Sequence, residues 1–349
     1  MSVRELPVYT TGRPFGDVAH LNGTGAAVTR PRDAYRNVPI LARPTWGHLI
    51  SAYFFLGGVS SGAFTLGSLA LVGGRRRRRL SRAAHVTALI TLLPCPPLLI
   101  ADLGKPARFP HMLRIFKPSS PMNLGAWTLT AHGGFAAMTV LVDLAHARKL
   151  PILGPLGRLV PESAFAVAGV PTALALGGYT GVLLGTTSVP AWSTSPLLGA
   201  LFMASSLSTG LAAVALAATL SGPGKEGTER PLSALGFTFT AAELSLLLGY
   251  LATSAEAVKP LLHGRQGLLL RAAAAALGLS AALDAFHARR PVTPRSTSLP
   301  ASVATLVAGA LLRIAVVGAG AASAEDREGT LKAMRSSPGN RGWGPGTES

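Results

Sequence analysis

Eight apolar stretches dominate this 349-residue chain, each close to the ~20 residues a helix needs to cross a hydrocarbon core. They cover residues 46–72, 83–102, 123–144, 163–188, 196–220, 232–254, 267–286 and 299–323. Backbone N–H and C=O groups inside lipid must be bonded within their own segment, and for runs of this length the helix does that. The expectation is an all-α polytopic membrane protein, an eight-transmembrane-helix bundle. Its domains are a polar N-terminal tail over 1–45, a transmembrane domain over 46–323 and a polar C-terminal tail over 324–349. The first 45 residues have no apolar core of the kind a secretory signal carries.

Composition narrows the chemistry. Only 13% of residues are charged, 48% are hydrophobic and the mean hydropathy is +0.40, against roughly 25% charged in a soluble domain. Cys95 is the single cysteine. One thiol cannot make a disulfide within the chain, ligate an iron–sulfur cluster, build a Cys-rich zinc site or attach a c-type haem. No metal site is expected. The net charge of +17 resembles a nucleic-acid signal, but the basic residues fall in short loops and form no face interleaved with aromatics. No nucleic-acid partner is expected.

Those loops set an orientation. After spans one, three, five and seven come Arg75–Arg79 with Arg82, then Arg148, Lys149 and Arg158, then Lys225 and Arg230, then Arg289, Arg290 and Arg295. After spans two and six come Lys105, Arg108, Arg114 and Lys117, then Lys259 and Arg265; the loop after span four has none. Fourteen basic residues against six assign the first set to the cytoplasm. Both termini and the loop 103–122 are then expected outside.

That loop is the most informative segment. Gly104 is a natural helix C-cap and Pro106 a stop just beyond it, which leaves Asp102 at the membrane edge. Lys105, Arg108, Arg114 and Lys117 form a dense basic loop on the side that ordinarily carries few cations. Contact with lipid headgroups explains it as well as a docking surface for a partner or a balance for the Asp102 charge. Gly58 with Gly62, Gly177 with Gly181 and Gly181 with Gly185 recur at helical spacing, and small residues so spaced let membrane helices approach closely.

Several segments carry a resemblance. They are Tyr53-Phe-Phe-Leu-Gly-Gly-Val-Ser-Ser-Gly-Ala-Phe64, Asp102-Leu-Gly-Lys-Pro-Ala-Arg-Phe109 and Pro118-Ser-Ser-Pro-Met-Asn-Leu-Gly-Ala-Trp127. Gly178-Tyr-Thr-Gly-Val-Leu-Leu184, Val189-Pro-Ala-Trp192, Ser205-Ser-Leu-Ser-Thr-Gly210 and Ala242-Glu-Leu244 follow. Together the chain resembles the NrfD/PsrC family of quinone-interacting membrane subunits over residues 46–255. Spans seven and eight match in hydropathy alone. The resemblance implies a bacterial plasma (inner) membrane protein with no redox metal of its own, neither haem nor iron–sulfur cluster. It implies quinone or quinol (menaquinone or ubiquinone) as an exchangeable substrate. Its implied partners are an iron–sulfur electron-transfer subunit and a catalytic oxidoreductase subunit, with membrane lipid around it. The chain alone is then non-catalytic, with no catalytic residue of its own.

Quinol oxidation releases two electrons and two protons, so such a site needs a hydrogen-bond partner at each oxygen, one of them able to take a proton. At the expected outer depth stand His48, Tyr53, Asp102, Trp127, Tyr179 and Tyr250. Of these, His48, Tyr53, Asp102 and Tyr179 are the candidate quinone-binding residues, although tyrosines at this depth also form ordinary aromatic belts. Near the midplane stand His132, Glu243 and Arg313. Ionisable groups there are expensive and face the bundle interior, which makes them candidates for a proton path. A plain buried Glu243–Arg313 ion pair fits the sequence equally. Asp143 and Asp284 lie near the cytoplasmic ends and could form an entry to that path, although as helix-end charges they need no role. Haem b needs two axial ligands at one depth. His48, His85 and His132 fall at three depths, while His85, His146 and His287 share the inner edge. Lys105, Arg108, Arg114 and Lys117 are the candidate docking residues. Two rivals remain at this stage: a secondary transporter, for which Pro94, Pro96 and Pro97 would mark a broken helix, and a structural anchor that never touches quinone.

Overall fold

The computed structural model describes residues 40–72, 78–147, 159–161, 163–220, 229–254, 257–289, 299–326 and 329–331. Most of both polar tails lies outside the described residues, as do the loop cations Arg75–Arg77, Arg148, Lys149, Arg158, Lys225, Arg290 and Arg295. The described elements are helices, with no strand among them. They are α1 (His48–Val72), α2 (Arg78–Leu92), α3 (Cys95–Asp102), α4 (Phe109–Arg114), α5 (Pro121–His146) and α6 (Ala164–Gly185). The short α7 (Pro190–Ser193) follows, then α8 (Leu197–Leu220), α9 (Glu229–Thr253), the short α10 (Lys259–Leu262), α11 (Gly264–Arg289) and α12 (Leu299–Glu325).

Eight stretches are long and apolar enough to cross a membrane, with α2 and α3 together forming the second. They coincide with the eight stretches expected from the sequence to within a few residues. The second starts earlier, at Arg78, because the arginines before the apolar run are good helix formers and extend it by a turn. Pro94 stands at the joint between α2 and α3. The ladder closes around it through Leu93 N–H to Leu89 O and Leu98 N–H to Pro94 O, both 3.1 Å. Gly104 ends this span at φ 65°, a left-handed conformation that costs glycine little. A single 3₁₀ turn, Pro106–Arg108, then leads into α4.

The buried centre consists of α1, α8 and α12. The first helix is the hub, packing on α2, α6, α8 and α12. Lipid is as apolar as leucine, so close van der Waals approach and interhelical hydrogen bonds hold such helices together. Glycine makes the approach possible. A Cβ at Gly62 would stand 1.9 Å from the Ser206 carbonyl oxygen, and one at Gly210 would stand 2.4 Å from the backbone of Gly62 and Ala63. A Cβ at Gly181 would stand 2.4 Å from the Leu198 oxygen, so α6 and α8 meet the same way. Gly185 differs: an added Cβ would meet nothing closer than the Trp192 oxygen at 3.7 Å. Its place in the small-residue pattern is not a packing requirement.

The segment between α6 and α8 is pinned against α12. Trp192 is fully buried, donates its indole N–H to Val316 O at 2.8 Å and stacks on Trp46 with centroids 5.5 Å apart. Ala191 N–H reaches Ser323 Oγ at 3.1 Å, and the Tyr250 hydroxyl donates to Ala191 O. An exposed ion pair, Arg43 to Glu325 at 3.6 Å, joins the approach to α1 to the end of α12.

Gly62→Val forces α1 off α8 and should cost about 1–3 kcal/mol or more, as overpacking does. Thermal unfolding in detergent should show a clearly lower midpoint for that variant and an unchanged one for Gly185→Ala.

Candidate functional site

The four residues expected to hold quinone come from three elements, α1, α3 and α6, that converge at one end of the bundle, here the His48 end. His48 is exposed on the first turn of α1, and Asp102, half-buried, ends α3. The two lie within electrostatic reach of one another. One and a half turns deeper, Tyr53 is 2% exposed and within electrostatic reach of Tyr179 on α6 and Cys95 on α3. The Tyr179 hydroxyl donates to the backbone oxygen of Pro121, and its ring lies where a Cβ on Gly125 would be. The first turns of α5 therefore position Tyr179. The arrangement runs from a charged rim, His48 and Asp102, to a deeper phenolic pair. Such a slope in polarity suits a flat ligand with two oxygens and an apolar tail.

The basic loop lies beside this rim. Lys105, Arg108, Arg114 and Lys117 are all exposed. Asn123 shapes the loop: its amide donates to Met112 O at 2.5 Å and Ile115 O at 3.0 Å, and its oxygen accepts from Lys117 N–H at 2.7 Å. Ser120 caps α5 by accepting from Asn123 N–H at 3.5 Å. Beneath the loop, Phe116 meets Trp127 edge to face at 5.9 Å.

Glu243 and Arg313 come together, but through serines. Arg313 is fully buried and donates to Phe54 O (3.0 Å), Gly309 O (3.0 Å), Ser205 Oγ (2.8 Å) and Ser206 Oγ (3.3 Å). The rings of Phe55 and Phe202 flank its guanidinium at 5.9 and 5.4 Å. One carboxylate oxygen of fully buried Glu243 accepts from the Ser208 hydroxyl, and the other has no hydrogen-bond partner. The two charges act on each other through space. The direct ion pair that the sequence allowed is absent among the described residues: four of the guanidinium's five N–H donors go to two carbonyls and two serines.

His132, also expected on that path, is elsewhere. It bonds Ser60 Oγ at 3.1 Å on the α5 side of α1, and no hydrogen bond among the described residues links it to Glu243 or Arg313. Across the Phe64 ring from it lies a pair that the sequence does not bring together, buried His85 and Asp143, joined at 3.0 Å. Ser205 and Ser208 were likewise missed, since serines in an apolar span look like helix-packing residues until a charge is found against them. Among the described residues, no group of three or more His, Cys, Asp or Glu side chains is placed to hold a metal ion.

A groove of about 400 Å³ opens at the same end, lined by residues 41–46, 187–189 and Trp192. None of the four candidate quinone residues lines it.

These observations define a class: a multi-pass helical membrane protein with buried polar networks at a shared end and in its interior. The model of the family described as "Polysulphide reductase, NrfD" matches residues 39–323, and the chain belongs to that family. The C chain of the polysulfide reductase of Wolinella succinogenes is 30% identical over 181 residues, 48% of this chain and 56% of that protein. The C subunit of the selenate reductase of Mesobacillus selenatarsenatis is 26% identical over 225 residues, 56% and 53%. An NrfD homologue of Haemophilus influenzae is 28% identical over 193 residues, 51% and 60%. The chain spans somewhat more than half the length of these curated relatives.

Removing one charge of the buried network should be far worse than removing both. Arg313→Met alone should lose about 3–5 kcal/mol, seen as a drop in folded yield and midpoint, and Arg313→Met with Glu243→Gln should recover part of it. Asn123→Ala should free residues 112–117, raising hydrogen exchange and protease cleavage there while the eight spans stay protected, at about 1 kcal/mol per lost bond.

Proposed function

We propose that this chain is the quinone-reactive membrane subunit of a multisubunit oxidoreductase. It exchanges electrons between the membrane quinol pool and an iron–sulfur partner. The observation that carries this reading is the meeting of His48 with Asp102 and Tyr53 with Tyr179 at one end, directly beside an exposed basic loop. Quinol oxidation needs a group that takes a proton as the electrons leave. The Asp102 carboxylate at the rim is that group, and His48 lies within electrostatic reach of it. Tyr53 and Tyr179 orient the ring from below, with Tyr179 fixed by Pro121. The two electrons leave toward the partner; the two protons pass to side chains and then to water.

Lys105, Arg108, Arg114 and Lys117 supply the docking surface. An acidic patch on the iron–sulfur subunit would complement it, and such contacts steer association more than they set its strength. The excess of basic residues on the opposite loops orients this end, with both termini, outward across the bacterial inner membrane. In the interior Glu243 and His132 are the groups able to exchange a proton, on different sides of α1, and Arg313 is the fixed cation that acts on Glu243. The reading is favoured over a transporter by the family's reductase relatives, and over a bare anchor by the convergent polar residues.

Binding of a quinol-analogue inhibitor to the purified chain, followed by fluorescence quenching, tests the site. Saturable quenching is expected, weakened about tenfold by Asp102→Asn and by Tyr53→Phe, the size of one lost charged or buried hydrogen bond. Full-strength binding in both variants, or none in a folded wild type, would remove the site and leave an anchor. Reversing the loop charges to Glu at the four basic positions should slow partner association and invert its dependence on salt, since salt then screens repulsion.

A further inference from the structure

Among the described residues, three charged side chains stand seven or more residues from both ends of their helices: Glu243, Arg313 and Arg271. Glu243 and Arg313 are buried. Arg271, on α11, is exposed, and its side chain takes no part in the hydrogen bonds or ion pairs of the described residues. A cation on the lipid-facing surface of a span is costly unless something compensates it.

Helix α11 is 26 residues long and begins at the His48 end of the bundle. It is longer than a hydrocarbon core of ~30 Å, which puts the Cα of Arg271 about 6 Å below the boundary at that end. Side chains on a helix lean toward its N-terminus, so the guanidinium reaches headgroup level with its stem lying along the helix. Arg265, also exposed, comes six residues earlier. At about 3.6 residues per turn the two arginines stand about 120° apart around the helix, one on either side of Leu268.

From that point exposed side chains recur every three or four residues: Leu268, Ala272, Ala275, Leu279, Ala282 and Phe286. The other side of α11 packs on α9, α10 and α12, which leaves this stripe to lipid. Alanines between the two leucines make it a shallow trough. Residues 257–283 contain no Asp or Glu, so no carboxylate of the segment offsets the two arginines. The first turn of α11 is tightly seated. Gly264 turns the chain at φ 58°, and a Cβ on Gly267 would stand 2.2 Å from the Leu262 carbonyl oxygen. Arg265 and Arg271 are thereby presented at a set spacing.

We propose that Arg265 and Arg271 hold the phosphate of one anionic phospholipid in the leaflet at the His48 end, with an acyl chain laid along Ala272, Ala275 and Leu279. The planar fork of arginine matches a phosphate, and such charge-assisted bonds are strong. Every phospholipid offers a phosphate, but a zwitterionic one carries its own cation beside it, which two arginines repel. An anionic headgroup supplies the charge that the segment lacks. The site uses none of the candidate quinone residues and stands or falls independently of the quinone reading.

The test strips lipid from the purified full chain in a neutral detergent and adds back phosphatidylglycerol or phosphatidylcholine. Native mass spectrometry reads the lipid retained, and thermal unfolding gives the midpoint. Wild type should keep one phosphatidylglycerol at concentrations that leave phosphatidylcholine unbound. Its midpoint should rise with phosphatidylglycerol, because a ligand of the folded state stabilises it. Arg271→Gln should lower the bound-to-free ratio for phosphatidylglycerol about tenfold, as losing one charged hydrogen-bonding group does, and should erase the preference over phosphatidylcholine. Arg271→Lys should keep part of that preference. Arg289→Gln, the same change of charge at the other end of α11, should keep all of it. Ala275→Phe, which fills the trough and leaves both arginines, should weaken retention but not the headgroup preference. Equal retention of the two lipids by wild type, or full retention by Arg271→Gln, overturns the site. An equal loss in Arg289→Gln does so too, since net charge alone would then explain the binding. Inorganic phosphate should leave the midpoint unmoved; a rise as large as that from phosphatidylglycerol would give the arginines to free phosphate. Phosphatidylglycerol kept by the chain but absent from the whole complex would give this face to a partner's helix and overturn the lipid.

Discussion

The contact between α1 and α8 at Gly62 and Gly210 is the constraint from which the rest of the bundle follows. Only with both side chains absent can the two backbones come so close. That closeness lets one guanidinium on α12 bond the Phe54 carbonyl of α1 and the Ser205 and Ser206 hydroxyls of α8 together. Arg313 then acts as the clasp of three helices. A Cβ at Gly58 would fall 2.6 Å from the guanidinium, so the glycine spacing on α1 serves the charge as well as the backbone approach.

Packing and polarity are therefore not separate designs here. In water, burying Arg313 and Glu243 would be an expensive way to gain specificity. In lipid there is no hydrophobic force between helices to replace them. The two seams beside α1 use different chemistry. One holds a permanent cation near a carboxylate through serines. The other holds two imidazoles and a carboxylate around a phenyl ring. The same helix keeps them apart, with Gly58 and Phe54 turned to one and Ser60 and Phe64 to the other.

The eight spans were legible in the sequence because lipid leaves few options for an apolar run of twenty residues, and the end of the second run is marked by Gly104 and Pro106. The rim of the candidate site was legible for a similar reason: Asp102 is a carboxylate at a helix end with cations after it. The interior network was only half legible. Arg313 and Glu243 stand out as charges in apolar stretches, but nothing in a one-dimensional pattern says that two serines lie between them. The neighbours of His132 were not legible either, since a position in the sequence fixes a residue along a helix and leaves its azimuth open. Asp143 looked like a helix-end charge because its partner, His85, lies 58 positions away. Trp192, one of the residues carrying the family resemblance, turns out to pin the α6–α8 connection onto α12.

The first turn of α5 has two attachments. Asn123 grips the basic loop through three hydrogen bonds, and two residues earlier the Pro121 oxygen holds the Tyr179 hydroxyl. Loop and phenol thus hang from the same rigid lever. Whatever presses on the loop from outside is felt by the tyrosine within, and whatever displaces the tyrosine pulls on the loop. Thermodynamic reciprocity makes any such influence equal in both directions.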